Sequence, residues 1–340
     1  MRSVVHTRQG DPAEVLELRE EDGRPRPGAG EVLVRLRVRP VHPGDLIAVE
    51  GGLPGLPDQD SQPRTPGVEG MGVVEEAGAD VRAPLVGRRV AVFSAPGTWA
   101  EYVVVPAERA VPVPDEVGDD TAALMLVNPL TLVMLHQAVE QALDGHDGPV
   151  VQTAAGSSVG RLVSAHAERH GLPLVNLVRG AAGARKVREM FPGQPVIVTS
   201  DADWQDQVRR ATGGGGARAV LDCVGGSLTR DLVGLLGDGG TLISYGRLGS
   251  GVTMLDELPL VNRGLTVRGV TIWHWTDRTP EQRAEDLAFA VDLARTSPEL
   301  LEVAARYDLA DVKAAVKHAR RPGKSGTVLL TSPEETGGAR

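Results

Sequence analysis

The sequence predicts a two-domain α/β protein, in which a partly closed β domain is joined to a doubly wound parallel sheet. Three observations carry that expectation. The chain has 340 residues, more than the roughly 100–200 that usually form one domain. Up to about residue 120, short β-prone runs alternate with Gly and Pro, the spacing of a nearly closed β architecture. Beyond that point, short apolar runs alternate with helical stretches, as in parallel strands joined by crossover helices.

Taken in order, the first half offers strands at 32–38 (VLVRLRV), 70–78 (GMGVVEEAG), 88–93 (RRVAVF) and 100–106 (AEYVVVP). The segment 51–67 has no apolar period and contains four prolines, which predicts an exposed loop long enough to cover a site. In the second half, apolar runs at 149–154, 172–179, 195–200, 217–224, 240–246 and 265–272 supply six strands. Helices are expected at 158–170, 181–190, 202–211, 227–236 and 280–296. The last stretch carries a helix at 308–320 and a strand at 326–331 that should return to the first domain. The expected domains are therefore 1–120 with 300–340, and 121–299.

Composition narrows the function. Hydrophobic residues make up 41% and charged residues 24%, ordinary values for a globular chain rather than a disordered or membrane-embedded one. A net charge of −9 with no dense basic stripe offers no attraction to a phosphate backbone or an anionic bilayer, so neither nucleic acid nor membrane is an expected partner. The single cysteine, Cys223, excludes an intrachain disulfide framework and a thiolate-rich zinc site and fits a reducing cytoplasm. The N-terminal segment lacks the apolar core of a signal peptide, and no run of about 18 apolar residues occurs.

The chemistry-bearing signal is the run Ala154-Ala155-Gly156-Ser157-Ser158-Val159-Gly160, placed where a strand should pass into a helix. Small residues there let the backbone approach a pyrophosphate, and a helix N-terminus supplies oriented N–H groups and partial positive charge. The spacing is A-x-S-x-x-G rather than G-x-G-x-x-G, so an ordinary strand-to-helix turn is the competing reading. About 20 residues on, where an acidic residue would hold the ribose of NAD, stands Arg179. Its planar fork suits the 2′-phosphate of NADP, with Arg185 and Lys186 nearby; a solvated arginine is the alternative. NADP(H) is the expected cofactor.

Six local sequences, in order, are His42-Pro43-Gly44-Asp45, Pro66-Gly67-Val68-Glu69-Gly70, Asn128-Pro129-Leu130-Thr131, the turn at 154–160, Asp222-Cys223-Val224-Gly225-Gly226 and Tyr245-Gly246. Together they resemble the medium-chain dehydrogenase/reductase superfamily over almost the whole chain. That resemblance implies a GroES-like β domain, formed by both chain ends, and a central Rossmann domain. Zinc members carry an early cysteine ligand and a Gly-His-Glu; here Val68 stands where the histidine would be and no cysteine precedes Cys223. No metal site is expected. His166 and His170, one helical turn apart, lack a third ligand in sequence and are read as solvated or capping.

The nearest resemblance is to the zinc-independent quinone oxidoreductase and 2-enoyl thioester reductase branch. It implies cofactor contacts from Asn128, Thr131, Ser157, Ser158, Val159, Gly160, Arg179, Tyr245, Gly246, Ile272, Trp273, His274 and Lys324. Where the enoyl reductases carry an assisting tyrosine, this sequence has Leu53. His42 is the candidate polar group near the reacting centre, since imidazole donates a proton near neutral pH; a purely structural hydrogen bond is the alternative. Leu53, Trp273 and Trp275 are candidates for a substrate pocket, with subunit contact or core filling as the alternative for the tryptophans. The expected activity is NADPH-dependent hydride transfer to an activated C=C bond of an enoyl thioester or enone. Quinone reduction is the nearest alternative, and NADPH binding without turnover is one of another class. A small-molecule substrate and a homodimer, joined through an edge strand such as 265–272, complete the expectations.

Overall fold

The computed structural model describes residues 1–52 and 63–333. Most of the expected loop 51–67, Leu53 included, lies outside them. Contacts divide the chain into two units, Met1–Val127 with Pro280–Arg340, and Asn128–Thr279.

The first unit opens with β1 (Arg2–Val5), α1 (Pro12–Val15) and β2 (Glu17–Glu20), the two strands pairing antiparallel. Then come β3 (Glu31–Pro40), α2 (Pro43–Val49), β4 (Glu69–Ala77), β5 (Arg89–Phe93), β6 (Tyr102–Pro106), β7 (Ala110–Pro112) and α3 (Asp119–Ala122). Alternation of apolar and basic residues along β3 buries Val32, Val34 and Leu36 and leaves Arg35 and Arg37 half-buried. Arg39 breaks that rule, since it is fully buried and donates from Nε and Nη2 to the Ala100 carbonyl at 3.0 and 2.8 Å and from Nη2 to the Leu36 carbonyl at 2.9 Å. Desolvation pushes its pKa down to about 9, and the carbonyl bonds satisfy donors that burial would otherwise strand.

The second unit holds α4 (Val127–Leu143), which begins one residue before it, then β8 (Val150–Gln152), α5 (Ser158–His170), β9 (Leu174–Val178), α6 (Ala181–Met190) and β10 (Val196–Val198). It continues with α7 (Trp204–Ala211), β11 (Ala217–Asp222), α8 (Gly226–Val233), β12 (Leu236–Ser244), α9 (Glu257–Asn262) and β13 (Thr266–Gly269). The six strands are parallel, in the order β10-β9-β8-β11-β12-β13. The sheet winds outward in both directions from β8, so a topological switch point lies between β8 and β11, where such sheets bind nucleotides. Helix α4 escaped the sequence reading because VNPLTLVMLHQAVEQAL carries apolar residues around most of its circumference and shows no clear stripe.

The chain then returns to the first unit as α10 (Pro280–Thr296), β14 (Val303–Asp308), α11 (Val312–Ala319) and β15 (Thr327–Thr331). Strand β15 pairs antiparallel with β3, giving the sheet order β14-β15-β3-β4-β5-β7, with β6 also on β3. The division into units thus falls at 280 rather than 300. Helix α10 lines a groove with Val111, Pro112 and Pro114 of the first unit through Leu287, Ala288 and Val291, and a helical stripe does not announce which sheet it will cover.

Candidate functional site

Strand β8 ends in the turn that the sequence singled out. Ala154 adopts φ 49°, a left-handed conformation that costs a non-glycine residue about 1–2 kcal/mol. Ser157 is the N-cap of α5, its hydroxyl accepting the Gly160 N–H at 3.1 Å. A Cβ at Gly160 would lie 2.5 Å from the Ala154 carbonyl oxygen and 2.8 Å from the Ala155 Cα, so only glycine lets the helix sit this close to the strand. Behind the turn is a buried amide cluster. Gln152 Nε2 donates to the Gly160 carbonyl at 3.0 Å and to Asn176 Oδ1 at 2.6 Å, and Asn176 donates to Gln194 Oε1 at 2.7 Å. These bonds tie the first turn of α5 to β8 and β9. The sequence reading missed them because polar residues inside strands carry no periodic signal.

Because the strands are parallel, their carboxyl ends share one edge. Arg179 follows β9 and is exposed, and Arg185 and Lys186 are exposed on α6. At the end of β11, Asp222 is fully buried and accepts from the Thr153 hydroxyl (2.9 Å), the Val224 N–H (2.9 Å), the Gly225 N–H (3.3 Å) and the Thr229 hydroxyl (2.6 Å). It shapes the loop 223–226, a role visible in sequence only as one letter of a motif. Tyr245 and Gly246 follow β12, and the Leu248 and Gly249 N–H groups bond back to the Cys223 and Val224 carbonyls at 2.7 and 2.8 Å. Cys223 is buried, which pushes its thiol up to about 11 and makes it inert packing.

The segment 272–277 is a 3₁₀ turn that separates the two tryptophans: Trp273 is 41% exposed and Trp275 7%. Trp275 is therefore the more enclosed of the two, which favours core filling for it and leaves Trp273 as the exposed ring. Ile272 is half-buried and His274 exposed, while at the start of α4 Asn128 is buried and Thr131 half-buried.

In the first unit, His42 caps α2 and its backbone N–H donates to Asp45 Oδ2 at 2.9 Å. Its imidazole Nε2 lies 2.6 Å from Glu69 Oε2, and both side chains are almost wholly enclosed. Glu69 Oε1 accepts the Leu126 and Val127 N–H groups at 2.9 and 2.8 Å. One carboxylate thus orients the imidazole and fixes the backbone that leads into α4. Burial opposes charging His42, but the hydrogen bond and charge of Glu69, aided by Asp45 and against Lys324, raise its pKa above the ordinary value. Burial also lifts Asp45 to about 6. The charge of Lys324 reaching His42 brings two sequence-selected residues into one neighbourhood. Glu69, present in the sequence only as one letter of the motif at 66–70, both fixes backbone and holds His42.

Residues 28–115 match the alcohol dehydrogenase GroES-like domain and residues 158–290 the family described as zinc-binding dehydrogenase. A solved structure from Bacillus thuringiensis, assigned as an NADPH:quinone reductase, is 31% identical, covers 98% of this chain and 99% of that one, and superposes with a TM-score of 0.87. The chain is a medium-chain dehydrogenase/reductase. It belongs to the zinc-independent branch, in keeping with Val68 and the lack of any cysteine before Cys223. The human mitochondrial enoyl-[acyl-carrier-protein] reductase is 27% identical over 336 residues, covering 97% of this chain and 88% of that protein. A mycobacterial member solved in complex with NADPH is 27% identical over 98% of this chain and 100% of that one, with a TM-score of 0.84. The GroES-like and Rossmann architecture expected from the sequence is the architecture observed.

Proposed function

We propose that this medium-chain dehydrogenase/reductase is an NADPH-dependent reductase of an activated C=C bond, carried by an enoyl thioester or an enone. The observation that carries the cofactor reading is the turn at 154–160: a capped helix N-terminus drawn tight against β8, with an exposed arginine at the end of the next strand. The N–H groups and positive end of α5 suit a pyrophosphate, and Arg179, Arg185 and Lys186 suit a 2′-phosphate. Asn128, Thr131, Tyr245, Gly246, Ile272, Trp273, His274 and Lys324 are our further candidates for holding the cofactor, with Trp273 also offered to substrate. NADPH supplies the hydride when bound.

Reduction of a conjugated C=C bond takes a hydride at the β-carbon and a proton at the α-carbon. His42 is our candidate for holding that proton, because Glu69 stabilises the charged ring and fixes its plane. Quinone reduction remains a second reading, supported by the Bacillus thuringiensis relative. The decisive assay follows NADPH oxidation against crotonyl thioester, a simple enone and a benzoquinone. Turnover of the thioester or enone above the quinone is the expected result, and the reverse order selects the second reading. NADPH binding with no oxidation on any of the three would overturn both.

No described helix is long and apolar enough to cross a membrane; a cytoplasmic address is our reading from the single buried cysteine, while the human relative is mitochondrial by name. We also propose a homodimer. Strand β13 is exposed along its whole length at the edge of the sheet, and Val252, Met254, Leu258 and Val261 in the segment that precedes it in the chain are 86%, 78%, 63% and 74% exposed. A second copy, related by a two-fold axis, pairs with that edge and covers those side chains.

A further inference from the structure

The sequence left His166 and His170 without a third partner. The fold supplies one. His136, thirty residues earlier on α4, places its Nδ1 3.1 Å from His166 Nε2. The ring centroids of His136 and His166 are 4.4 Å apart, those of His166 and His170 4.2 Å, and those of His136 and His170 6.2 Å. His136 Nε2 also lies 3.3 Å from Glu140 Oε1. His136 and His166 are partly exposed and His170 and Glu140 are exposed, so an ion reaches the cluster from solvent.

We propose that His136 and His166 form a surface site for a divalent transition-metal ion of the Zn²⁺ kind, completed by His170 and water. The geometry suits it. Two nitrogens on one ion, each about 2.0–2.1 Å from it, stand about 2.9–3.4 Å apart across the angles between octahedral and tetrahedral coordination, and the 3.1 Å separation falls inside that window. Glu140 Oε1 stands 3.3 Å from His136 Nε2, and a carboxylate there favours the tautomer with its proton on Nε2 and its lone pair on Nδ1, the nitrogen that faces His166. A carboxylate behind a ligating imidazole is the usual way a protein fixes the tautomer of a metal ligand. Among the described residues no three His, Cys, Asp or Glu side chains already stand as a ready set; rotation of the exposed His170 side chain brings the third donor. The ion takes the place of the proton that the two imidazoles now share and cross-links α4 to α5. His166 lies about 12 Å along α5 from Ser158 at the ordinary helical rise, so the site is separate from the dinucleotide turn.

The test uses the tag-free full chain, stripped with chelator and titrated with zinc chloride by calorimetry at neutral pH. One ion per chain should bind with micromolar affinity. His136→Ala and His166→Ala should each weaken it at least about tenfold, and Glu140→Gln by a smaller factor toward the low end of the 10–100-fold range for outer partners. Zinc should raise the unfolding midpoint of the wild type and not that of the double variant His136→Ala/His166→Ala. Far-UV circular dichroism on the same samples confirms that each variant is folded, with His136→Gln in reserve. No zinc uptake by the wild type, or uptake undiminished in the double variant, overturns the proposal.

Discussion

At the scale of single residues, charge placement governs both proposed roles. Arg179 is exposed at the end of β9, where a carboxylate would instead select the unphosphorylated cofactor. A charge-assisted bond of about 1.5–3 kcal/mol corresponds to about 10–150-fold in affinity. We therefore expect Arg179→Asp to raise the Kd for NADPH by that order while changing the Kd for NADH little, measured by fluorescence titration; equal effects on both would refute the assignment. The His42–Glu69 pair makes a prediction with a sign. The folded-state pKa of His42 is raised above 6.5, so its contribution to stability is complete below that pH and is lost as pH rises through the raised value. Asp45, raised from 3.8 to about 6, acts in the same direction at lower pH: its contribution is complete below 3.8 and lost as pH rises through about 6. Thermal unfolding midpoints should therefore decline above pH 6.5 in the wild type and decline less in Glu69→Gln, which removes the charge that raises the imidazole. Identical slopes would show that the pair does not titrate in this range. Should His42 hold the substrate's proton, His42→Gln lowers kcat about 10²-fold or more at saturating substrate, whereas a structural role alone leaves kcat near wild type.

At the scale of elements, the strand–turn–helix unit β8–α5 was legible because all its determinants are local: small residues, a hydroxyl at the cap and a glycine three residues on. Its energetics are testable in the same terms. Gly160→Ala sets a methyl 2.5 Å from a carbonyl oxygen, and overpacking of this kind costs typically about 1–3 kcal/mol; we expect a lower unfolding midpoint and weaker NADPH binding together. Ser157→Ala removes only the cap, worth about 1 kcal/mol, and should lower the midpoint less. A midpoint for Gly160→Ala at or above that of Ser157→Ala would mean that the backbone can relax away from the added carbon. Helix α4 was not legible at this scale, since its apolar residues form no stripe, and neither was the split of Trp273 from Trp275, which a 3₁₀ turn imposes by setting positions two apart on faces about 120° from one another. Strands β1, β2, β7 and β14 were also passed over; each is three to six residues long, too short to establish a period.

At the scale of the whole molecule, β13 is an exposed sheet edge, and exposed apolar residues precede it in the chain. Val267, 44% exposed in the middle of that strand, is the residue to change. Val267→Lys should convert a dimer to a monomer in light scattering coupled to gel filtration, because a two-fold pairing sets the two ammonium groups near one another. A wild type that is already monomeric at micromolar concentration would remove the dimer from the account. The sequence by itself determined the alternation of strands and helices from β8 to β12, the parallel character of that sheet, the small-residue turn and the arginine at the next strand's end, since each depends on short local runs of residues. Only the tertiary structure decided that Glu69 would meet both His42 and the backbone at 126 and 127, that β15 would close on β3, and that His136 would join His166. Those contacts join positions from 27 to almost 300 residues apart, and no local period encodes which distant surfaces come together once each has apolar area to bury.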